Sequence, residues 1–157
     1  SINLSETLIN DLLIIRELQN DFKNNLKLIR DNNDISEDKK LNIIPANFKK
    51  SINKRKIDLF VNVASFQEMD ILEIEEYFEI IRNNKSILYS CNRERKKFPK
   101  KRGYRGEETS FNKYPWGNYK TIFWEECPWY NKYYTLKPPF IIKNNKKVLH
   151  SLVDYCK

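Results

Sequence analysis

Three groups of polar side chains in this 157-residue chain have types and spacing suited to chemistry. Ser65, Gln67 and Glu68 close one apolar run, Asn92 and Arg93 close a second, and His150 sits inside a third. A carboxylate or an imidazole can take a proton from a hydroxyl, which makes Glu68 and His150, the only histidine, the two candidate bases. Gln67 can orient a hydroxyl, and Arg93 can hold an anionic oxygen. Each has a structural alternative. Glu68 can complement the dipole of a helix beginning after Asp70, and a lone histidine in an apolar segment can simply be packed.

The elements that must position these groups are readable from periodicity. Leu59, Phe60 and Val61 lead through Asn62 and Val63 into the polar Ser65–Glu68 stretch, the pattern of a strand covered on both faces. After Asp70, the residues Ile71, Ile74, Phe78 and Ile81, flanked by Leu72 and Tyr77, form a stripe with helical period. A second apolar run over 86–91 ends in Asn92 and Arg93. Strand, helix, strand at this spacing is a βαβ unit, and in open parallel sheets ligands bind beyond the carboxyl ends of the strands. Residues 65–68 and 92–93 should therefore share one rim.

Upstream, Ser5 is a suitable N-cap, with Glu6 in the first turn, for a helix whose apolar stripe runs from Leu8 through Phe22, Leu26 and Ile29 toward Asp31. Residues 41–44 read as a short strand closed by Pro45, followed by a basic, weakly helical connection over 48–56. Downstream, 121–124 (TIFW) reads as a strand with Phe123 or Trp124 packed against a helix. Residues 147–155 read as a closing strand, with a short helix as the alternative. The three glycines of the chain argue against a flexible linker between two domains.

Two compositional features bear on partners. Eight of the thirteen residues 93–105 are basic, within a net charge of +8. This suits capture of phosphate on a sugar nucleotide, a lipid-linked glycan at an anionic membrane surface, or a nucleic acid, and position at the rim favours the first two. The alternative is a solvated loop. More than half of the aromatics lie within 111–140, interrupted by prolines, and Tyr114, Trp116 and Trp129 are candidates for stacking on sugar rings, with packing as the alternative. Cys91, Cys127 and Cys156 form no CxxC pattern, so neither a disulfide framework nor a zinc site is indicated, no ligand cluster calls for another metal, and a reducing, cytoplasmic location is the default expectation.

The series VNVASFQEM, EEYFEIIRNN, YSCNRERK, KYPWGNY, CPWYNKYY and VLHSLV, in this order, resembles the C-terminal two-thirds of the sugar O-methyltransferases, a branch of the Rossmann-like methyltransferases that use S-adenosylmethionine. The resemblance covers nearly the whole chain from Ile2 onward. It implies an α/β fold: a partial Rossmann-like methyltransferase sheet flanked by helices, lacking the first strand and its glycine-rich turn. Residues 1–157 would be a single partial domain, with the basic loop 93–106 and the aromatic region 111–140 inserted at the ligand rim. It further implies methyl transfer to a sugar hydroxyl of a surface glycan or its activated precursor, with the cofactor near Asn3, Asn62 and Ser65 and the substrate near Gln67, Asn92, Arg93, Tyr114, Trp116 and Trp129. Asn3 occupies the place where the family commonly has an acidic residue on the cofactor ribose, and a fragment of a longer enzyme is the expectation. It also implies that the closing strand over 147–155 runs antiparallel to its neighbour. A noncatalytic basic module binding nucleic acid is the alternative. The two differ in a measurable way, since nucleic-acid affinity of that kind falls steeply with salt.

Overall fold

The computed structural model describes residues 2–3, 25–36, 38–39, 41–97, 108–130, 132–143 and 147–156. The structure is mixed α/β, and its contacts divide it into two compact units, 1–55 and 56–157, where the sequence suggests one domain.

In the first unit, β1 (Ile2–Asn3), β2 (Leu26–Leu28) and β3 (Leu41–Pro45) form a parallel sheet in the order β1-β3-β2. β3 ends at Pro45 as expected, and the basic connection is a pair of short 3-10 turns over Ala46–Lys54. Ile29, Ile43, Ile44 and Ile52 are buried. The helix expected from Ser5 lies mostly outside the described residues, and its expected continuation through Leu26 and Ile29 is instead a strand. Leu26 and Leu28 pair with Leu41 and Ile43, and the Ile29 amide donates to the Ile43 carbonyl at 2.9 Å. Apolar residues at 26, 28 and 29 fit a two-residue period as well as a helical one, and the ladder with β3 decides between them.

The second unit is built on a four-stranded mixed sheet in the order β4-β5-β11-β8. β4 (Leu59–Val63) runs parallel to β5 (Ile87–Arg93), and α1 (Ile71–Asn84) forms the crossover between them, so the expected βαβ unit is present. The Asp70 side chain caps α1 by accepting from the Glu73 amide at 2.9 Å, and Lys85, at φ 51°, ends it in the left-handed region. The helix buries Ile74, Tyr77, Phe78, Ile80 and Ile81, whereas Ile71 and Leu72, both expected in its apolar stripe, are exposed.

After β5 the chain forms a small antiparallel pair, β6 (Arg95–Lys97) with β7 (Glu108–Ser110), then β8 (Lys120–Glu126), the hairpin β9 (Lys132–Tyr134) and β10 (Ile141–Lys143), and β11 (Val148–Asp154). β11 lies between β5 and β8, antiparallel to both, as expected for a closing strand. Within the aromatic region 111–140, β8 contains the strand expected over 121–124, and β9 is a further strand not expected from the sequence. The basic stretch 93–105 begins as the end of β5 and β6, and 98–107 lies outside the described residues.

Register assigns the side chains to two faces of the sheet. Leu88, Ser90 and Asn92 share a face with Leu149, Ser151 and Val153 and with Trp124, and the six from β5 and β11 are all buried. Trp124 packs on Phe111 and Trp116 at ring separations of 5.0 and 4.6 Å, and Trp116 meets Phe78 of α1 edge-on at 5.1 Å. This face is thus the one covered by the helix. Contrary to expectation, β4 is not covered on both sides: among the described residues it is an edge strand, and Leu59, Val61 and Val63 on the other face are exposed.

Candidate functional site

The carboxyl ends of β4 and β5 carry the site. Leaving β4, the chain turns at Ala64, whose φ of 57° is unusual for a residue with a side chain and costs roughly 1–2 kcal/mol. The turn is held by the Ala64 amide donating to the Cys91 carbonyl at 2.8 Å, and it directs a single 3-10 turn, Phe66–Glu68, back across the end of β5. Phe66 anchors that turn from below, packing on Tyr77 and Phe78 of α1 and on Tyr114.

The rim predicted from the sequence is real. The Gln67 amide donates to Asn92 Oδ1 at 3.2 Å, and Gln67 Oε1 accepts from the Arg93 amide at 2.8 Å. Asn92 Nδ2 donates to Asn62 Oδ1 and to Ser90 Oγ, both at 2.9 Å, while Asn62 Oδ1 also accepts from the Phe66 amide at 3.3 Å and Asn62 Nδ2 donates to Ser65 Oγ. Four polar side chains, Asn62, Ser65, Ser90 and Asn92, thus form one connected network, which Gln67 joins through its backbone N–H.

Their exposure separates two roles. Asn92 is 1% exposed and Gln67 6%, so these side chains hold the rim together. Ser65 and Glu68 are exposed and Arg93 is half-buried. Glu68 sits between two donors, Gln67 Nε2 at 3.1 Å and Lys96 Nζ, with which it forms an ion pair. Lys96 comes from β6, and its meeting with Glu68 depends on the turn after β5, so no spacing in the sequence pointed to it. Nor did any signal mark Ser90, whose hydroxyl fills the last position behind Asn92.

The other candidates lie elsewhere. His150 pairs in register with Cys91 and therefore faces away from Asn92, on the opposite side of the sheet. It is buried against Tyr89 and Phe123; the Tyr89 hydroxyl lies 3.3 Å from Nδ1, and Glu125 Oε1 lies 3.3 Å from Nε2 without the alignment of a hydrogen bond. The structure does not bring it into the rim with Glu68. Tyr114 and Trp116 are buried, stacked among Phe66, Phe78 and Phe111, with the Trp116 indole N–H donating to the Phe111 carbonyl at 2.9 Å. Packing accounts for both. Trp129 is 79% exposed. Asn3 belongs to the first unit, in β1 opposite Pro45.

Burial also removes the thiols on the second face from consideration as nucleophiles. Desolvation, followed by the hydrogen bond with Cys127, pushes the Cys91 thiol up to about 12, and desolvation likewise raises the Tyr89 hydroxyl to about 12. Among the described residues no group of three or more His, Cys, Asp and Glu side chains could hold a metal ion. No helix among them is long and apolar enough to cross a membrane.

No protein-family model, curated protein or solved structure matches this chain.

Proposed function

We propose that the rim formed by Ser65, Glu68 and Arg93 is the ligand-facing edge of a Rossmann-like O-methyltransferase that acts on a sugar hydroxyl of a surface glycan or its activated precursor. One observation carries this reading: two parallel strands joined by a helix present a cross-linked polar turn at their carboxyl ends, the position where open α/β sheets bind ligands. The resemblance in the sequence motifs supplies the reaction class.

The residues fit S-adenosylmethionine in part. Ser65 Oγ accepts from Asn62, which leaves its own O–H free in direction to meet a ligand oxygen at the exposed end of the turn. Asn62 acts through Ser65 and Asn92, since its carbonyl oxygen already accepts two hydrogen bonds. When bound, S-adenosylmethionine supplies a methyl group on a sulfonium, which makes the transfer electronically favourable once an acceptor oxygen is aligned.

The chain's own contribution is alignment and proton removal. Glu68, exposed and fixed by Gln67, is the group placed to accept the proton of an acceptor hydroxyl. Gln67 is a positioning residue: one end of its amide holds Glu68 and the other holds the Arg93 backbone. Arg93 brings positive charge to the same edge, suited to the phosphates of an activated sugar, while Lys96 pairs with Glu68.

The test is Glu68→Gln in the full-length protein. Turnover of a methyl acceptor should fall ~100-fold with S-adenosylhomocysteine binding unchanged. Unaltered turnover would remove Glu68 from the mechanism. Absence of both methyl transfer and S-adenosylhomocysteine binding in that protein would end the methyltransferase reading itself.

A further inference from the structure

The hairpin β9–β10 stands apart from the polar rim in its composition. Its tip is closed by the Thr135 amide donating to the Phe140 carbonyl at 2.8 Å and the Phe140 amide donating to the Lys137 carbonyl at 3.0 Å. The Thr135 hydroxyl adds a bond to the same Lys137 carbonyl at 2.6 Å. A turn tied three times in this way is an ordered element, yet Leu136 at its tip is 101% exposed and touches nothing that shields it. Tyr134 is 82% exposed, and Ile141, its partner in register, is exposed as well. Phe140 and, at the turn before β9, Trp129 and Tyr130 extend the exposed apolar surface. Aromatic and aliphatic side chains concentrated on one element and left in water mark an interaction site.

The hairpin itself carries charges of one sign. From residue 127 to residue 153 the chain holds five lysines and no aspartate or glutamate. Lys132 and Lys137 are exposed and Lys143 lies opposite Lys132 in register, while Lys147, at the start of the return to β11, pairs with Glu94. Along the hairpin the order is therefore Lys132 and Lys143 at the base, then Tyr134 with Ile141, then Leu136 and Lys137 at the tip.

We infer that the β9–β10 hairpin docks onto an anionic lipid bilayer, with its tip in the interfacial region and its lysines at the headgroups. Tyrosine and tryptophan favour the boundary between headgroups and acyl chains, because each carries an apolar ring and a polar handle. Leu136 at the tip and Ile141 beside Tyr134 gain by leaving water for the acyl boundary but have no π-face for sugar stacking, which favours lipid over glycan. Lysine ammonium groups on flexible stems reach back to phosphates while the apolar side chains go deeper. A fully exposed convex tip also suits a deformable partner better than a preformed protein pocket. This inference stands independently of the methyltransferase reading.

Co-sedimentation with vesicles tests it. The chain should bind phosphatidylcholine vesicles containing phosphatidylglycerol and release at high salt, while pure phosphatidylcholine vesicles retain little of it. Leu136→Asp should weaken partitioning by roughly tenfold or more, since it replaces apolar burial with a charge repelled by the surface. Lys137→Ala should weaken it about fivefold. Both positions are exposed, and unchanged thermal unfolding of each variant confirms that the fold is intact. Trp129 emission should shift to the blue on binding, a change lost in Trp129→Phe. Failure to bind anionic vesicles overturns the inference. So does a loss in Lys137→Ala without one in Leu136→Asp, because charge alone, as in binding to a nucleic-acid backbone, would then account for the interaction.

Discussion

The two faces of the four-stranded sheet are made by alternate residues of the same strands, and they are used in opposite ways. On the covered face, Ser90 and Asn92 of β5 are removed from water beneath α1 and the turn at its strand end, and the polar groups gathered at the rim are largely committed to one another. On the other face, Leu59, Val61 and Val63 lie open, while Tyr89, Cys91 and His150 form a partly buried cluster with the exposed Glu125 at its edge. Polar side chains on a covered face make architecture. Only where that architecture reaches the strand ends, at Ser65 and Glu68, does it offer chemistry to solvent.

Three substitutions probe this division. The largest effect is expected from Phe78→Ala, which empties the meeting point of Phe66, Tyr114 and Trp116 and should reduce unfolding free energy by about 3–5 kcal/mol in urea titrations. A loss below about 1 kcal/mol would mean that the helix does not pack on this face as described. Next is Asn92→Ala, which leaves the buried Gln67 amide without its acceptor and should cost about 1–3 kcal/mol, with faster hydrogen exchange at Gln67. Equal exchange before and after would show that the rim holds its shape without Asn92. The smallest change belongs to Val61→Ala on the open face, within about 0.5 kcal/mol. A much larger penalty there would reveal a covering surface in solution and erase the contrast between the faces.

The sequence made one part of this structure plain for a physical reason. At residue 70 the hydrophobic pattern switches from a continuous run to a 3.6-residue stripe, Asp70 supplies the cap, and a second run follows. Few arrangements other than a βαβ unit suit that order, so the meeting of Gln67 with Asn92 and Arg93 was foreseeable. Which groups at the rim would stay accessible was not. Gln67 is buried because the Arg93 backbone and Glu68 satisfy the two ends of its side-chain amide and Asn92 accepts from its backbone N–H, a fact of tertiary pairing with no local signature. Tyr114 and Trp116 read as loop aromatics beside Pro115 and Gly117, yet the helix and sheet leave a space that these rings fill. At Gly117 the positive φ of 64° and the nearby Arg82 side chain make that close approach workable. Leu26 and Ile29 misled in the other direction, since a helical stripe and a strand are indistinguishable over so few residues until a partner strand appears.

The place of β11 between β5 and β8 bears on how the molecule is made. Among the described residues its two neighbours share no ladder and are joined through a strand that the ribosome delivers after both. During synthesis, β4 and β5 can pair as soon as α1 has emerged, but β8 waits with its apolar residues unsheltered until residues 148–154 arrive. The central seam of the sheet therefore closes only after both of the strands that flank β11 have been made, and β8 is open to wrong partners until then.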